Sequence, residues 1–173
     1  MTRAVSPTRP NRFVVDDAVI ERAYLAQARS VHPDFHQTAS TATQQTSLEQ
    51  TAILNEAYLT LREPLRRAEY LLKLKGGPSA SEEKNLDQGF LAEMMDLRER
   101  LEMATSSHEK LELESQLLQS ERERFEKVAT LFEELDPLQP GNQRVQLSSI
   151  RQHLNAIKTI RSLLRDLNDH VAN

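Results

Sequence analysis

Apolar residues recur at helical spacing through most of this chain. In the stretch DDAVIERAYLAQARSV, residues 16–31, Ile20, Tyr24, Gln27 and Val31 lie four, three and four apart. They share one face of a predicted helix, and Asp16 or Asp17 can cap its start. Pro33 ends it or follows its end, because a residue before proline avoids the α region. The polar run HQTASTATQQTS, residues 36–47, reads as a loop leading into a helix start. From Ser47 to Lys75, Leu48, Ala52, Leu54, Ala57, Tyr58, Leu61, Leu65, Ala68, Leu71 and Leu72 keep helical periodicity. Pro64 interrupts that pattern and predicts a kink or a break near Glu63.

Residues 76–89, GGPSASEEKNLDQG, hold three of the four glycines and a proline. They mark the best domain boundary in the chain. Three further amphipathic stretches follow. In FLAEMMDLRERLEMA, residues 90–104, Phe90, Met94, Leu97 and Leu101 fall within about 60° at 100° per residue, a natural core stripe. In residues 107–135, Leu111, Leu118, Phe125 and Phe132 recur every seven positions. After the turn DPLQPGNQ, residues 144–171 place Ile150, Leu154, Ile157, Leu164, Leu167 and Val171 on one side. The prediction is an all-α protein. A tail over 1–12 precedes a helical hairpin unit over 13–75, a linker over 76–89 and an antiparallel three-helix bundle over 90–173.

Composition agrees. Glycine is scarce, aromatics are 5%, and the abundant residues are good helix formers. There is no cysteine, which excludes disulfides, thiolate metal sites and a cysteine nucleophile. Residues 1–75 carry 10 Lys+Arg against 8 Asp+Glu, and residues 76–173 carry 12 against 18. Neither part is basic enough to argue for nucleic acid. No apolar run approaches the roughly 20 residues of a membrane span, and no secretory signal is evident. A cytoplasmic, non-membrane protein is the expectation.

The chemistry concentrates at RSVHPDFHQT, residues 29–38. His32, Asp34 and His36 could contribute to a metal site, but no cluster elsewhere completes a ligand set. No G-x-S-x-G elbow accompanies them, and neighbours in sequence do not make a hydrolytic triad. Two readings remain: a helix end with a Pro-Asp turn, or a docking surface. A rigid Pro33 flanked by His32 and Asp34 follows a helix whose Arg22 and Arg29, seven apart, share a face.

That combination resembles the J-domain family, whose His-Pro-Asp loop and basic helix engage ATP-driven chaperones. LNEAYLTLREPLRRAEYLLKLKG, residues 54–76, resembles the HscB (Jac-type) branch more specifically. The matching positions are Asn55, Ala57, Tyr58, Leu61, Arg62, Pro64, Arg67, Ala68, Tyr70, Leu71, Leu72, Leu74 and Gly76. FLAEMMDLRERLE, residues 90–102, resembles the first helix of that branch's C-terminal bundle. The resemblance implies a co-chaperone of iron–sulfur cluster biogenesis, with no catalytic site, resident cofactor or metal. Such a protein stimulates the ATPase of an HscA/DnaK-type chaperone and delivers an IscU-type scaffold to it. His32, Pro33, Asp34, Arg22 and Arg29 would contact the chaperone.

Carried over position by position, the scaffold surface falls on Leu91, Ala92, Met95, Asp96 and Glu99. Met103 stands where the branch has an acid, and Ala156 near where it has an aromatic. The pattern itself supports a partner surface: Ala92, Met95, Asp96, Glu99 and Met103 lie opposite the core stripe with Leu91 beside them. RAVSPTRPNRF stands where relatives carry a short aromatic-rich first helix, so Ile20, Tyr24, Leu54, Tyr58 and Leu61 are expected to lack that cover. Phe35 and His36 replace the usual basic residues after His-Pro-Asp, which thins the basic surface. A monomer is expected. Two alternatives stay open: a J-domain co-chaperone for another client, and a structural helical protein whose His-Pro-Asp is only a turn.

Overall fold

The computed structural model describes residues 13–31, 41–135 and 140–172. Six α-helices account for nearly all of them, with no strand among the described residues: α1 (Asp17–Val31), α2 (Thr41–Arg62), α3 (Pro64–Leu74), α4 (Gln88–Met103), α5 (Ser107–Glu133) and α6 (Pro140–Ala172). The chain divides into two compact units, residues 1–70 and 71–173, with the division falling inside α3.

In the first unit α1 and α2 pack as a hairpin. Asp16 opens α1 by accepting the Ala18 N–H at 2.9 Å, which satisfies one of the donors a helix start leaves bare. Tyr24 stacks on Tyr58 with ring centroids 4.2 Å apart, and its hydroxyl donates to Asn55 Oδ1 at 2.9 Å. The break at Pro64 is a real helix boundary. Glu63 turns its carboxylate onto the N–H groups of Leu65, at 3.1 Å, and Arg66, at 2.6 Å. Pro64 takes the first helical position, where a missing N–H costs nothing.

Arg67, next along α3, is buried. Its guanidinium lies 5.4 Å from the Phe13 ring centroid and donates to the Leu61 carbonyl at 2.5 Å. The hairpin is otherwise thinly covered. Ile20, Tyr24, Leu54 and Tyr58 are half-buried, and Leu61 is exposed.

Two expectations for this unit need correction. The helix after the polar run starts at Thr41, six residues before Ser47, because Gln45 bonds Glu49 and Thr46 bonds the Ala42 carbonyl within the helix. The Gln45–Glu49 pair supports the helix, and the Thr46 hydroxyl finds its acceptor within it, so the polar run is compatible with helix. Leu48, Ala52 and Ala57 fit the period but are exposed, and Gln27 on α1 is exposed as well. The face toward α1 is set by Leu54 and Tyr58. The side chain of Val31 and residues 1–12 lie outside the described residues.

In the second unit α4, α5 and α6 form an up-down-up bundle. Arg100 meets Gln116 across α4 and α5, Arg161 meets Glu121 across α5 and α6, and Arg98 meets Asp166 across α4 and α6. Those pairings make neighbours along the chain antiparallel and α4 parallel to α6. The core joins Phe90, Met94, Leu97 and Leu101 of α4 with Leu113 and Leu117 of α5 and Ala156, Ile160, Leu163 and Leu167 of α6. Residues 76–89 belong to this unit. Ser148 Oγ donates to the Glu83 carboxylate, Asn155 Nδ2 donates to the Glu83 carbonyl at 2.9 Å, and Leu86 packs on the core.

The heptad series of α5 is not its core stripe. Leu111 is 63% exposed and Leu118 43%, while Leu113, Leu117 and Val128 are buried. A straight helix drifts about 20° per heptad from a strict seven-residue repeat. The series therefore starts outside the core and turns toward it, so that Phe125 and Phe132 end half-buried. Spacings of four and eleven, from Leu113 to Leu117 to Val128, hold the true stripe.

Candidate functional site

Two surfaces follow from the residues singled out by the sequence. On α1, Arg22 and Arg29 are both exposed. At 100° per residue they project within about 20° of each other and roughly 150° from Tyr24, which faces α2. They therefore point away from the hairpin partner. Arg29 also stands in the last turn, where a cation complements the helix dipole, an ordinary structural role. His32, Pro33 and Asp34 occupy the segment between α1 and α2 and lie outside the described residues.

The second surface is the outer face of α4. Asp87 caps this helix, accepting the Phe90 N–H at 3.0 Å. The turn into α5 is fixed by a reciprocal capping box. Ser106 Oγ accepts the Glu109 N–H at 3.2 Å, and Glu109 accepts the N–H groups of Ser106 at 3.0 Å and Thr105 at 3.1 Å. The Ser106 N–H, the Ser106 hydroxyl, which also donates to Glu109 Oε2 at 2.8 Å, and the Thr105 N–H together hold the Glu109 carboxyl below the usual carboxylate range. With both ends of α4 fixed and Phe90, Met94, Leu97 and Leu101 locked in the core, its opposite side is a defined surface.

That surface is apolar where solvent-facing helices are usually charged. Met95 is 74% exposed, Met103 63% and Leu91 41%, with Ala92, Asp96 and Glu99 exposed among them. Asp96 pairs with Arg100 at 3.9 Å, and Arg100 is held in turn by Gln116 Oε1 at 3.0 Å. Leu91, Ala92, Met95, Asp96, Glu99 and Met103 thus share one side of one helix. Ala156 does not belong with them. It is 2% exposed, inside the core of the bundle, so it offers no surface to a partner.

Beside this face a groove of about 670 Å³ runs between α4 and α5, with Asp96 and Arg100 on one wall. His153 of α6 also lines it, as do Arg124 and Lys127 of α5. The Arg124 guanidinium lies 4.0 Å from the Phe90 ring centroid. Burial lowers its pKa, against the opposing pull of Glu93, Asp87 and Glu123. Burial also lowers the pKa of His153, helped by the charges of Arg124 and Lys127. The sequence reading did not single out either residue. The available signal was Arg124 standing on the Leu113–Leu117–Val128 stripe, a charge at a core-facing position.

No group of three or more metal-ligating side chains occurs among the described residues, and no helix among them is long and apolar enough to cross a membrane.

Comparison with known proteins agrees with this architecture. Residues 86–167 match the family model described as the HSCB C-terminal oligomerisation domain. The chain is 37% identical over 139 residues to a co-chaperone protein HscB homolog of Bordetella petrii, an alignment covering 79% of this chain and 82% of that protein. It is 34% identical over 144 residues to the homolog of Burkholderia thailandensis, covering 83% and 81%. Chaperone HscB from Vibrio cholerae superposes with a TM-score of 0.74 at 28% identity, covering 95% of this chain and 94% of that one. Human co-chaperone protein HscB superposes at 0.79 and 28% identity, covering 96% and 84%.

Proposed function

Because this chain belongs to the HscB family of co-chaperone proteins, we propose that it couples an HscA/DnaK-type chaperone to an IscU-type scaffold protein in iron–sulfur cluster assembly. The first unit stimulates the chaperone's ATPase through His32, Pro33 and Asp34, with Arg22 and Arg29 adding positive charge. The second unit holds the scaffold on the outer face of α4. The proposed place of action is the cytoplasm, and the cluster is cargo on the scaffold and is not a resident cofactor.

The observation that carries the reading is the outer face of α4. Three large apolar side chains, Leu91, Met95 and Met103, stay exposed on a helix whose opposite side is buried in the core. Surface apolar residues scattered singly need no explanation, but a cluster on one helix face marks a partner surface. Two methionines suit it, since the flexible thioether adapts to an opposing shape. Holding the scaffold there raises its effective concentration at a chaperone engaged by the same chain, so hydrolysis becomes dependent on client.

Single-turnover ATP hydrolysis by the HscA-type chaperone tests this. Stimulation by the wild-type chain should grow with added scaffold and vanish with Asp34→Asn. Stimulation that survives Asp34→Asn would assign the chaperone contact elsewhere.

A further inference from the structure

The α1–α2 hairpin has two broad faces, and one of them carries no charge. At 100° per residue, Val19, Ala23 and Ala26 of α1 and Ile53, Ala57 and Leu61 of α2 project to the same side of the plane that the two helices define. Ile53 is 70% exposed, Val19 47% and Leu61 40%, and the three alanines are exposed with them. The polar residues on that side, Ser30, Gln50 and Thr60, are uncharged. On the opposite face Leu25, Leu48 and Leu59 share the surface with Glu21 and Arg62. An uninterrupted exposed apolar face fits a protein partner.

The charges beside it stand at the outer edges, and the two edges are of opposite sign. Arg22 and Arg29 line the edge of α1 away from α2, and Glu49 and Glu56 line the edge of α2 away from α1. Both carboxylates are exposed, although Glu49 accepts a bond from Gln45 and Glu56 lies 3.7 Å from Arg66. Tyr24, bonded to Asn55 and stacked on Tyr58, fixes the level of one helix against the other. Counted from it along the antiparallel pair, Arg22 is level with Glu56 and Arg29 with Glu49, each to within one helical turn. Within one hairpin these partners sit at opposite edges and cannot meet. Two-fold rotation about an axis parallel to the helices lays α1 of one copy over α2 of another, antiparallel and at the same level. Arg22 then faces the partner's Glu56, and Arg29 the partner's Glu49. An axis across the helices would instead stack α1 on α1 and set arginine against arginine.

We propose that this face pairs with a second copy of the chain, in an antiparallel four-helix arrangement with a self-complementary interface. The 15 residues of α1 span about 22 Å and two helices about 20 Å, so the footprint is roughly 450 Å² per copy. A standard interface takes about 800 Å² per partner, so this dimer is weak and the chain is monomeric when dilute. Pairing occupies Arg22 and Arg29, and a dimerised chain does not offer them to a chaperone. That consequence rests on the chaperone reading above; the dimer does not.

Sedimentation velocity of the full chain, from the low micromolar to the submillimolar range, tests the pairing. The wild type should show reversible monomer–dimer exchange. Ile53→Asp should abolish it, and Met95→Asp on the outer face of α4 should keep it. Arg29→Glu should weaken it, and Arg29→Glu combined with Glu49→Arg in the same chain should restore it. Far-UV circular dichroism confirms that each variant is folded. A chain that stays monomeric throughout overturns the proposal, as does a dimer lost in Met95→Asp and kept in Ile53→Asp. A dimer that Ile53→Asp abolishes but the double exchange fails to restore overturns the antiparallel pairing. A second arm measures ATPase stimulation per chain with the chaperone in excess. It should fall as the wild type enters its dimer range and stay constant for Ile53→Asp. The same profile in both removes the consequence for the chaperone and leaves the dimer standing.

Discussion

Met94 and Met95 are adjacent in sequence, alike in chemistry and opposite in consequence. Met94 is 6% exposed in the bundle core and Met95 is 74% exposed on the outer face of α4. Replacing each with alanine therefore separates folding from docking with the same change on the same helix turn. Alanine is at least as good a helix former as methionine, so backbone propensity does not confuse the result. For Met94→Ala the cost is lost transfer free energy plus a cavity, about 2–5 kcal/mol.

For Met95→Ala the folded chain loses almost no buried area, and stability should move by less than about 0.5 kcal/mol. The effect appears on binding. Full burial of a methionine is worth roughly 1.5–3 kcal/mol, and about three-quarters of this one remains to be covered, which leaves about 1–2 kcal/mol. That corresponds to roughly a 5- to 30-fold weaker complex with the scaffold. Urea unfolding of both variants and calorimetric titration with the IscU-type scaffold read the two quantities independently. A Met95→Ala chain that unfolds at distinctly lower urea would refute the assignment of this side of α4 as free surface. Unchanged stability with unchanged scaffold affinity would leave the surface free but empty it of the proposed partner.

Two further outcomes follow from local geometry. His153 has a folded pKa depressed below its ordinary value by burial and then by Arg124 and Lys127. The unfolded chain therefore binds more protons between the folded pKa and about 6.5, and stability rises with pH across that window. The contribution is complete above about 6.5 and is lost as pH falls toward the folded value, and His153→Gln should flatten this part of a urea-midpoint profile against pH. Gly77 lies so close to Leu72 that an added Cβ would collide with that buried side chain, whereas at Gly76 (φ 74°) the space is open but the backbone is left-handed. Gly77→Ala should thus lower the urea midpoint by displacing Leu72, and Gly76→Ala by backbone strain alone, on the order of 1 kcal/mol.

Where the sequence spoke clearly, two independent signals agreed. The α4 core stripe was legible because Phe90, Met94, Leu97 and Leu101 obey the helical period and the side opposite them carries Asp96 and Glu99. The end of α2 was legible to within a kink or a break because Pro64 interrupts the helical pattern, and the structure shows the break, with Glu63 binding the bare N–H groups of α3. Where one signal stood alone it misled. Leu111, Leu118, Phe125 and Phe132 keep a regular heptad, yet α5 is packed by Leu113, Leu117 and Val128. Nothing along the chain distinguishes a leucine that touches another helix from one that faces water.

Ala156 failed for the same reason in reverse. Its place near a family aromatic suggested surface, and only the packed bundle shows that it is buried among the core residues. The groove was the least legible feature of all. Arg124 and His153 come together from α5 and α6, and each keeps one buried nitrogen, Nε and Nδ1, without a hydrogen-bond partner. Such a property belongs to the packed structure, because it depends on which neighbours remain absent after every helix has found its place.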